Sequence, residues 1–169
     1  TFGRASRSFN GSTNYVNLGN TLDSYFTGPN NDFTLSLWAK GEPLGAVLSK
    51  RANIVGNNCF YNFFDVTGGI IFGIESSTNA QVVNRRSDGT LLSNTEWKHF
   101  TFVYDSSQAL VVDRIKIFCN GVEVSYGTDG GTTSATWQMD GNLCTAPVSI
   151  GSNVNPSTGA TANEFDGNL

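Results

Sequence analysis

Charged residues are scarce in this sequence. Of its 169 residues, 14% are Asp, Glu, Lys or Arg, against 38% apolar residues. Ser, Thr, Asn and Gly therefore supply much of the wetted surface, a composition common among secreted β-proteins, adhesins and virion proteins. The net charge of −4 repels phosphate backbones, which argues against nucleic acid as a partner.

Long apolar stretches are also missing. No run reaches the roughly 18 residues of a membrane-spanning helix, so the sequence predicts no membrane span. No signal peptide is visible, and the first residue is Thr1 rather than Met. We therefore expect a processed product or a part of a larger protein. Without repeats or linkers, residues 1–169 are predicted to form a single domain.

Cysteine and histidine are too few for a metal or disulfide framework. Three cysteines are present, Cys59, Cys119 and Cys144, and His99 is the only histidine. One bridge with one free thiol remains open, as do three buried thiols. No two cysteines are spaced as CxxC, which argues against a zinc site.

Helical periodicity is nearly absent, and short apolar runs separated by turn residues predict an all-β sandwich. Asn120-Gly121 is the strongest hairpin signal, and Gly127–Thr136 and Asn153–Asn163 are predicted loops. Two antiparallel sheets suit this pattern. The predicted strands are Ser6–Asn10, Tyr15–Leu18, Phe33–Lys40, Ala46–Lys50, Phe60–Val66, Ile70–Ile74, Gln81–Arg85 (near an edge), Lys98–Tyr104, Arg114–Cys119, Val122–Val124 and Pro147–Ile150.

Six segments follow one another in a recognisable order along nearly the whole chain. They are Ser8–Val16 (F-N-G-x-x-x-Y-V), Phe33–Trp38 (F-T-L-S-L-W), Trp97–Asp105 (W-x-H), Ile115–Gly121 (ending N-G), Val148–Gly151 (V-S-I-G) and Phe165–Leu169 (F-x-G-x-L). Together they resemble the laminin-G-like, concanavalin A-like jelly-roll superfamily. The resemblance implies a two-sheet antiparallel β-sandwich.

The end of the chain departs from the family pattern. Relatives usually continue past the F-x-G element into one more strand, whereas this chain stops at Leu169. We therefore expect the final strand to be missing or to be supplied by a neighbouring chain, because an unpaired sheet edge invites pairing.

Carboxylates are not arranged for glycoside hydrolysis, which needs two acids facing one cleft. The E-x-D-x-E pattern of enzymes with this fold is absent. Glu164 and Asp166 alone have strand spacing, but they lie in the F-x-G element, where the resemblance implies a structural role. His99 lies in a structural strand of the family and is interpreted as a satisfied core histidine. We therefore expect no catalysis, with a polysaccharide-cleaving enzyme as the third choice.

Aromatic residues are the groups that stack on sugar faces, with polar side chains binding the hydroxyls. Trp38 and Trp97 match family positions and are interpreted as packing residues. Trp137 and Tyr126 flank the loop Gly127–Thr136 and are predicted to be exposed, with partial burial under the loop as the alternative.

Two other segments complete the predicted ligand-binding set. Tyr25 precedes the turn residues Thr27–Asn30, and Arg85, Arg86 and Asp88 form a polar cluster before Gly89. The cluster is alternatively a solvated edge turn. The predicted ligand-binding residues are Trp137, Tyr126, Arg85, Arg86, Asp88 and Tyr25.

Calcium is the one cofactor that the resemblance implies, because many relatives hold an ion near the chain ends. Asn10, Asp32 and Asp166 are the residues predicted to supply its oxygen ligands. Their spacing alone gives no support, and turn-forming Asx residues are the favoured alternative.

The sequence thus favours a non-catalytic recognition module that binds a glycan or a protein ligand within a larger extracellular or cell-surface protein. The alternative is a structural or assembly domain of a virion or an adhesin. Unpaired thiols suit particles assembled in a reducing compartment, and a missing strand suits strand sharing with a neighbour.

Overall fold

A computed structural model describes residues 5–22, 32–42, 44–51, 58–64, 69–75, 82–127, 146–154, 158 and 160–169. These ranges are built almost entirely of strands, with one short 3-10 helix at Val111–Arg114. None of the described residues belongs to a helix long and apolar enough to cross a membrane. The strands are β1 Ser8–Asn10, β2 Val16–Asn17, β3 Phe33–Gly41, β4 Gly45–Arg51, β5 Asn58–Phe64, β6 Ile70–Glu75, β7 Val82–Arg86, β8 Lys98–Tyr104, β9 Ile115–Cys119, β10 Val122–Glu123, β11 Val148–Ile150, β12 Asn153–Val154, β13 Thr161–Ala162 and β14 Asp166–Asn168.

The strands form two six-stranded sheets and one small pair, β12–β13. The front sheet has the order β1-β14-β3-β8-β9-β10, and the back sheet has the order β2-β11-β4-β5-β6-β7. All neighbouring strands in both sheets run antiparallel. This confirms the predicted antiparallel β-sandwich, and β7 lies at the predicted edge.

The core lies between the two sheets and is rich in phenylalanine. Phe33 and Phe102 of the front sheet meet Phe72 of the back sheet, with ring centroids 6.1 and 5.4 Å apart. Phe72, Phe100 and Phe102 are fully buried. Burying each such ring stabilises the fold by roughly 1.5–3 kcal/mol, so these side chains hold the two layers together.

The central strands β3 and β8 give the front sheet two unlike faces. They pair without a register shift from Phe33 opposite Tyr104 to Ala39 opposite Lys98. Alternate residues pack into the core, and the residues between them point away from the back sheet. This alternation leaves Trp38 on the outer face.

The β9–β10 hairpin confirms the Asn120-Gly121 signal. Both residues have positive φ, 51° and 80°, which a two-residue type I′ turn requires. Val122 consequently pairs with Cys119, which is a free, half-buried thiol. Burial raises the pKa of Cys119. The side chains of Cys59 and Cys144 lie outside the described residues.

The last strand, β14, inserts between β1 and β3. The backbones of Arg7 and Leu169 exchange two hydrogen bonds of 3.0 Å beside it. The crossing with β3 is tight, because a Cβ on Gly41 would clash with the backbone carbonyl of Asp166. This close approach requires glycine at position 41. The expected loss of a further strand beyond Leu169 stays a prediction.

Candidate functional site

The outer face of the front sheet carries an aromatic and hydroxyl-rich surface, which we call the Trp38 face. It is formed by alternate residues of three adjoining strands and by the residue directly before β8. Because these residues alternate with those in the core, they all point away from the back sheet. Its members are Thr34, Ser36, Trp38, Lys40, Trp97, His99, Thr101, Val103, Lys116 and Phe118.

Trp38 is held in place and is still accessible. His99 lies opposite it on β8, with the ring centroids 5.1 Å apart and the planes inclined by 47°. Nε2 of His99 is 2.7 Å from Oγ of Ser36, which fixes the imidazole. The indole is nevertheless 39% exposed. A fixed, exposed ring loses little conformational entropy when a ligand stacks on it.

Trp97 is a second exposed indole on this face. It is 40% exposed, and Nζ of Lys40 lies 5.6 Å from its ring centroid, a cation–π geometry. Continuing the register past the Ala39–Lys98 pair places Trp97 opposite Lys40. Trp38 and Trp97 are therefore diagonal neighbours on adjoining strands, with about 7–8 Å between such positions.

The interpretation of Trp38 and Trp97 as packing residues is wrong, because both indoles are exposed. The placement of His99 in the core is wrong too, since it lies half-buried on the outer face beside Ser36. A motif match fixes the strand that a residue belongs to but not the face that it occupies. The alternation of β3 and β8 carried that signal, because it set Trp38 and His99 apart from the core residues.

Four of the residues predicted to bind ligand come together where β7 meets the chain that follows β10. We call them the Arg85–Tyr126 edge: Arg85, Arg86, Asp88 and Tyr126. Ser87 forms an antiparallel bridge with Tyr126. The amide of Asp88 donates to the carbonyl of Ser125 at 2.7 Å, and the amide of Gly127 donates to the carbonyl of Arg86 at 3.1 Å. The edge therefore joins the back sheet to the front sheet.

Tyr126 is engaged on its ring and on its hydroxyl. Cζ of Arg85 lies 3.5 Å from the ring centroid. The hydroxyl accepts from the amide of Ile117 at 2.9 Å and donates to Oε1 of Glu123 at 3.0 Å. Burial and, to a smaller extent, the hydrogen bond to Glu123 raise the pKa of Tyr126 to about 12, against the lowering effect of the Ile117 amide.

Arg85 reaches this position from the inner face of the back sheet. It pairs across β6 with Phe72, a core residue, and its guanidinium donates to the carbonyl of Ile115 on the front sheet at 3.4 Å. Through these contacts Arg85 and Tyr126 link the two sheets. Their role in ligand binding stays a prediction. Trp137 and Tyr25 lie outside the described residues, so their predicted role also stays open.

The structure brings together two of the three predicted calcium ligands. Asn10 and Asp166 are cross-strand partners, whereas Asp32 precedes the far end of β3, about 33 Å from the position opposite Asp166 at the usual rise per residue. Oδ1 of Asn10 accepts three backbone amides of the following turn, and Oδ1 of Asp32 accepts the amide and hydroxyl of Ser106, both at 2.7 Å. The oxygen of Asn10 thus makes the local Asx-type bonds of the alternative interpretation, whereas the oxygen of Asp32 makes long-range bonds to Ser106.

Within the described ranges, no group of three or more His, Cys, Asp or Glu side chains could hold a metal ion. An ion bound by Asn10, Asp32 and Asp166 stays a prediction, and in this structure Asp32 lies at the other end of β3 from Asn10 and Asp166.

A laminin-G-type model, described as the Concanavalin A-like lectin/glucanases superfamily, matches residues 10–169. The chain belongs to this superfamily. The resemblance drawn from the six segments is therefore confirmed over nearly the whole chain.

Solved structures with this fold include the CBM40 module of the Ruminococcus gnavus IT-sialidase. Bound to α2,3-sialyllactose, it superposes with a TM-score of 0.69 at 11% identity, over 98% of this chain and 86% of that chain. Bound to α2,6-sialyllactose, it gives a TM-score of 0.64 at 10% identity, over 97% and 86%. At these identities the likeness shows the concanavalin A-like fold. No curated protein sequence matches the chain.

The one acid pair with strand spacing does not form a cleft of two free carboxylates. Oε1 of Glu164 accepts the hydroxyl of Thr161 at 2.7 Å, and Glu164 itself precedes β14. Asp166 is exposed and its side chain lies against Gly11. The carboxylates of Glu164 and Asp166 therefore contact different residues.

Proposed function

We propose that this chain is a non-catalytic recognition module that binds glycan on the Trp38 face. One observation carries the proposal: two exposed indoles, each fixed by a neighbour, lie on one sheet face among hydroxyl groups. Sugar rings have apolar C–H faces and polar edges. Trp38 offers the apolar contact, and Ser36 and Thr101 beside it offer hydrogen-bonding groups.

The solved neighbours and the surroundings of the acidic residues support binding rather than cleavage. The superfamily includes both lectins and glucanases, so membership alone favours neither. The solved neighbours named above are carbohydrate-binding modules that carry sialyllactose. Hydrolysis would need two carboxylates about 5–10 Å apart on either side of a glycosidic bond, whereas Glu164 is bonded to Thr161. A hydrolase would instead show turnover that Glu164→Gln or Asp166→Asn abolishes.

A glycan array with the purified chain tests the function. We expect binding to at least one glycan, with the signal lost in Trp38→Ala and kept in Leu110→Ala. Leu110 is 63% exposed and lies outside the Trp38 face, so it is a matched loss of apolar surface. No binding to any glycan by the wild-type chain would contradict the proposal.

The residues predicted from sequence define a competing position for the site. They are the Arg85–Tyr126 edge together with Trp137 and Tyr25. Binding that survives Trp38→Ala but is lost in Trp137→Ala or Tyr126→Ala would move the site to that edge.

The setting of the module belongs to the proposal as well. A surface with few charges supports an extracellular or cell-surface protein. In the assembly alternative the chain would form a stable oligomer without glycan, which analytical ultracentrifugation of the purified chain would detect.

A further inference from the structure

The two exposed indoles allow the class of glycan to be narrowed, an inference that rests on the proposed function. Trp38 and Trp97 share one face and are almost equally exposed, at 39% and 40%. As diagonal neighbours they lie about 7–8 Å apart along the sheet. One sugar ring has about the area of one indole, so a monosaccharide can cover only one of them. A ligand with two or more rings can contact both.

The Trp38 face continues beyond the indoles. From Trp97, directly before β8, to Val103, six residue steps span about 20 Å. The half of the face that lies past Trp38 carries hydroxyls, on Thr34, Ser36 and Thr101. A linear saccharide that follows the strands would therefore stack at one end and form hydrogen bonds at the other.

The face is continuous along β3 and β8. β3 and β8 pair over seven successive residues with no shift in register, whereas β4 and β5 in the back sheet are interrupted by two irregularities. A site for one terminal sugar encloses that sugar in a concave pocket. A regular ladder instead presents its side chains in one plane, which accepts a chain from the side.

Both indoles are also held in a fixed orientation before the ligand binds. Lys40 fixes Trp97, and His99, bonded to Ser36, fixes Trp38. Two preformed surfaces on adjoining strands add their contacts without an added ordering cost.

From the spacing, length and continuity of the Trp38 face, we propose that it binds an internal stretch of an extended oligosaccharide, about three or more sugar rings long, and not a single terminal sugar.

Isothermal titration against saccharides of increasing length tests this. The probes are glucose and its β-1,4-linked di-, tetra- and hexamers, the same four lengths of N-acetylglucosamine, and α2,3-sialyllactose as a terminal-sugar probe. In at least one series we expect the affinity to rise about tenfold or more from monomer to tetramer, the gain of one further stacked ring.

Two variants distinguish the indoles. Trp97→Ala is expected to remove the gain with length, whereas Trp38→Ala weakens the binding of every length. Trp97→Phe keeps an aromatic face and is expected to restore part of the gain, which a merely structural role would not do in a length-dependent way. Leu110→Ala is the control, and circular dichroism checks that each variant is folded.

The outcomes separate the inference from the function. An affinity that is the same for all lengths, or a preference for sialyllactose, overturns the inference while binding that depends on Trp38 keeps the proposed function. Absence of binding to every probe and to the array overturns both.

Discussion

Trp38 and Tyr126 are both aromatic rings beside a basic side chain, but their surroundings differ. Trp38 is contacted by His99 at 5.1 Å and remains 39% exposed. Tyr126 is covered by Arg85 at 3.5 Å, and its hydroxyl has two partners. On the outer face of a sheet, neighbours support a ring from the side, whereas at the sheet edge Arg85 lies over the ring. Whether an aromatic residue lies in a strand or near a loop therefore does not predict whether its ring is exposed to a ligand.

The largest expected loss of glycan affinity comes from removing the exposed indole of Trp38. Trp38→Ala should lower glycan affinity by about tenfold to a hundredfold, because central aromatic residues contribute most of the energy of such sites. Stability should change little, since the indole lies outside the core. Titration calorimetry and urea unfolding measure the two quantities. An unchanged affinity in a folded Trp38→Ala variant would reverse the roles of the two regions.

Removing the side chain that covers Tyr126 should lower stability and leave glycan affinity unchanged. Arg85→Met removes the contact with Tyr126 and the bond to the carbonyl of Ile115, so the free energy of unfolding should fall by about 1–2 kcal/mol. Glycan affinity should stay the same. Arg85→Lys keeps the charge and is expected to recover part of the stability. If Arg85→Met instead abolished glycan binding at full stability, the edge would be the binding site.

A smaller effect is expected at high pH. The pKa of Tyr126 is raised from an ordinary value near 10 to about 12 in the folded chain. The folded state therefore favours the protonated phenol, and the stability that Tyr126 contributes is present below pH 10 and lost as the pH rises from 10 to 12. Tyr126→Phe should unfold with a shallower loss of stability over this range. Equal pH slopes for the two proteins in urea unfolding would contradict the burial of this phenol.

The smallest effect is expected from Ser36→Ala. This variant removes the 2.7 Å hydrogen bond that fixes His99 beside Trp38. On an accessible face one such bond is worth about 0.5 kcal/mol, or roughly a twofold loss of affinity. Calorimetry with the best-bound glycan measures it. A loss as large as that of Trp38→Ala would contradict the minor contribution expected of this hydroxyl.

The strands could be predicted from sequence wherever side chains alternate over a long stretch. Lys98–Tyr104 has the predicted bounds, and Phe33–Lys40 gains one residue, Gly41. The short strands Asn153–Val154 and Thr161–Ala162 fall in a predicted loop. Two residues carry no period, and their pairing depends on tertiary contacts.

The candidate site was harder to predict, for two different reasons. The family motif predicts packing for Trp38 and a core position for His99. The alternation of apolar and polar residues along their strands places both side chains on the outer face. Arg85 and Tyr126 lie 41 positions apart in the chain, and only the fold brings the guanidinium onto the ring. The strand alternation in the sequence indicates the outer-face position of Trp38 and His99, whereas no local pattern indicates the contact between Arg85 and Tyr126.

The indole Nε1–H resonances of the three tryptophans provide the most direct test. An ¹H–¹⁵N spectrum of the full chain would be recorded during titration with the best-bound glycan, after assignment with single Trp→Phe variants. Binding on the Trp38 face predicts that the signals of Trp38 and Trp97 shift. A shift confined to Trp137, with Trp38 and Trp97 unmoved, would contradict binding on the Trp38 face.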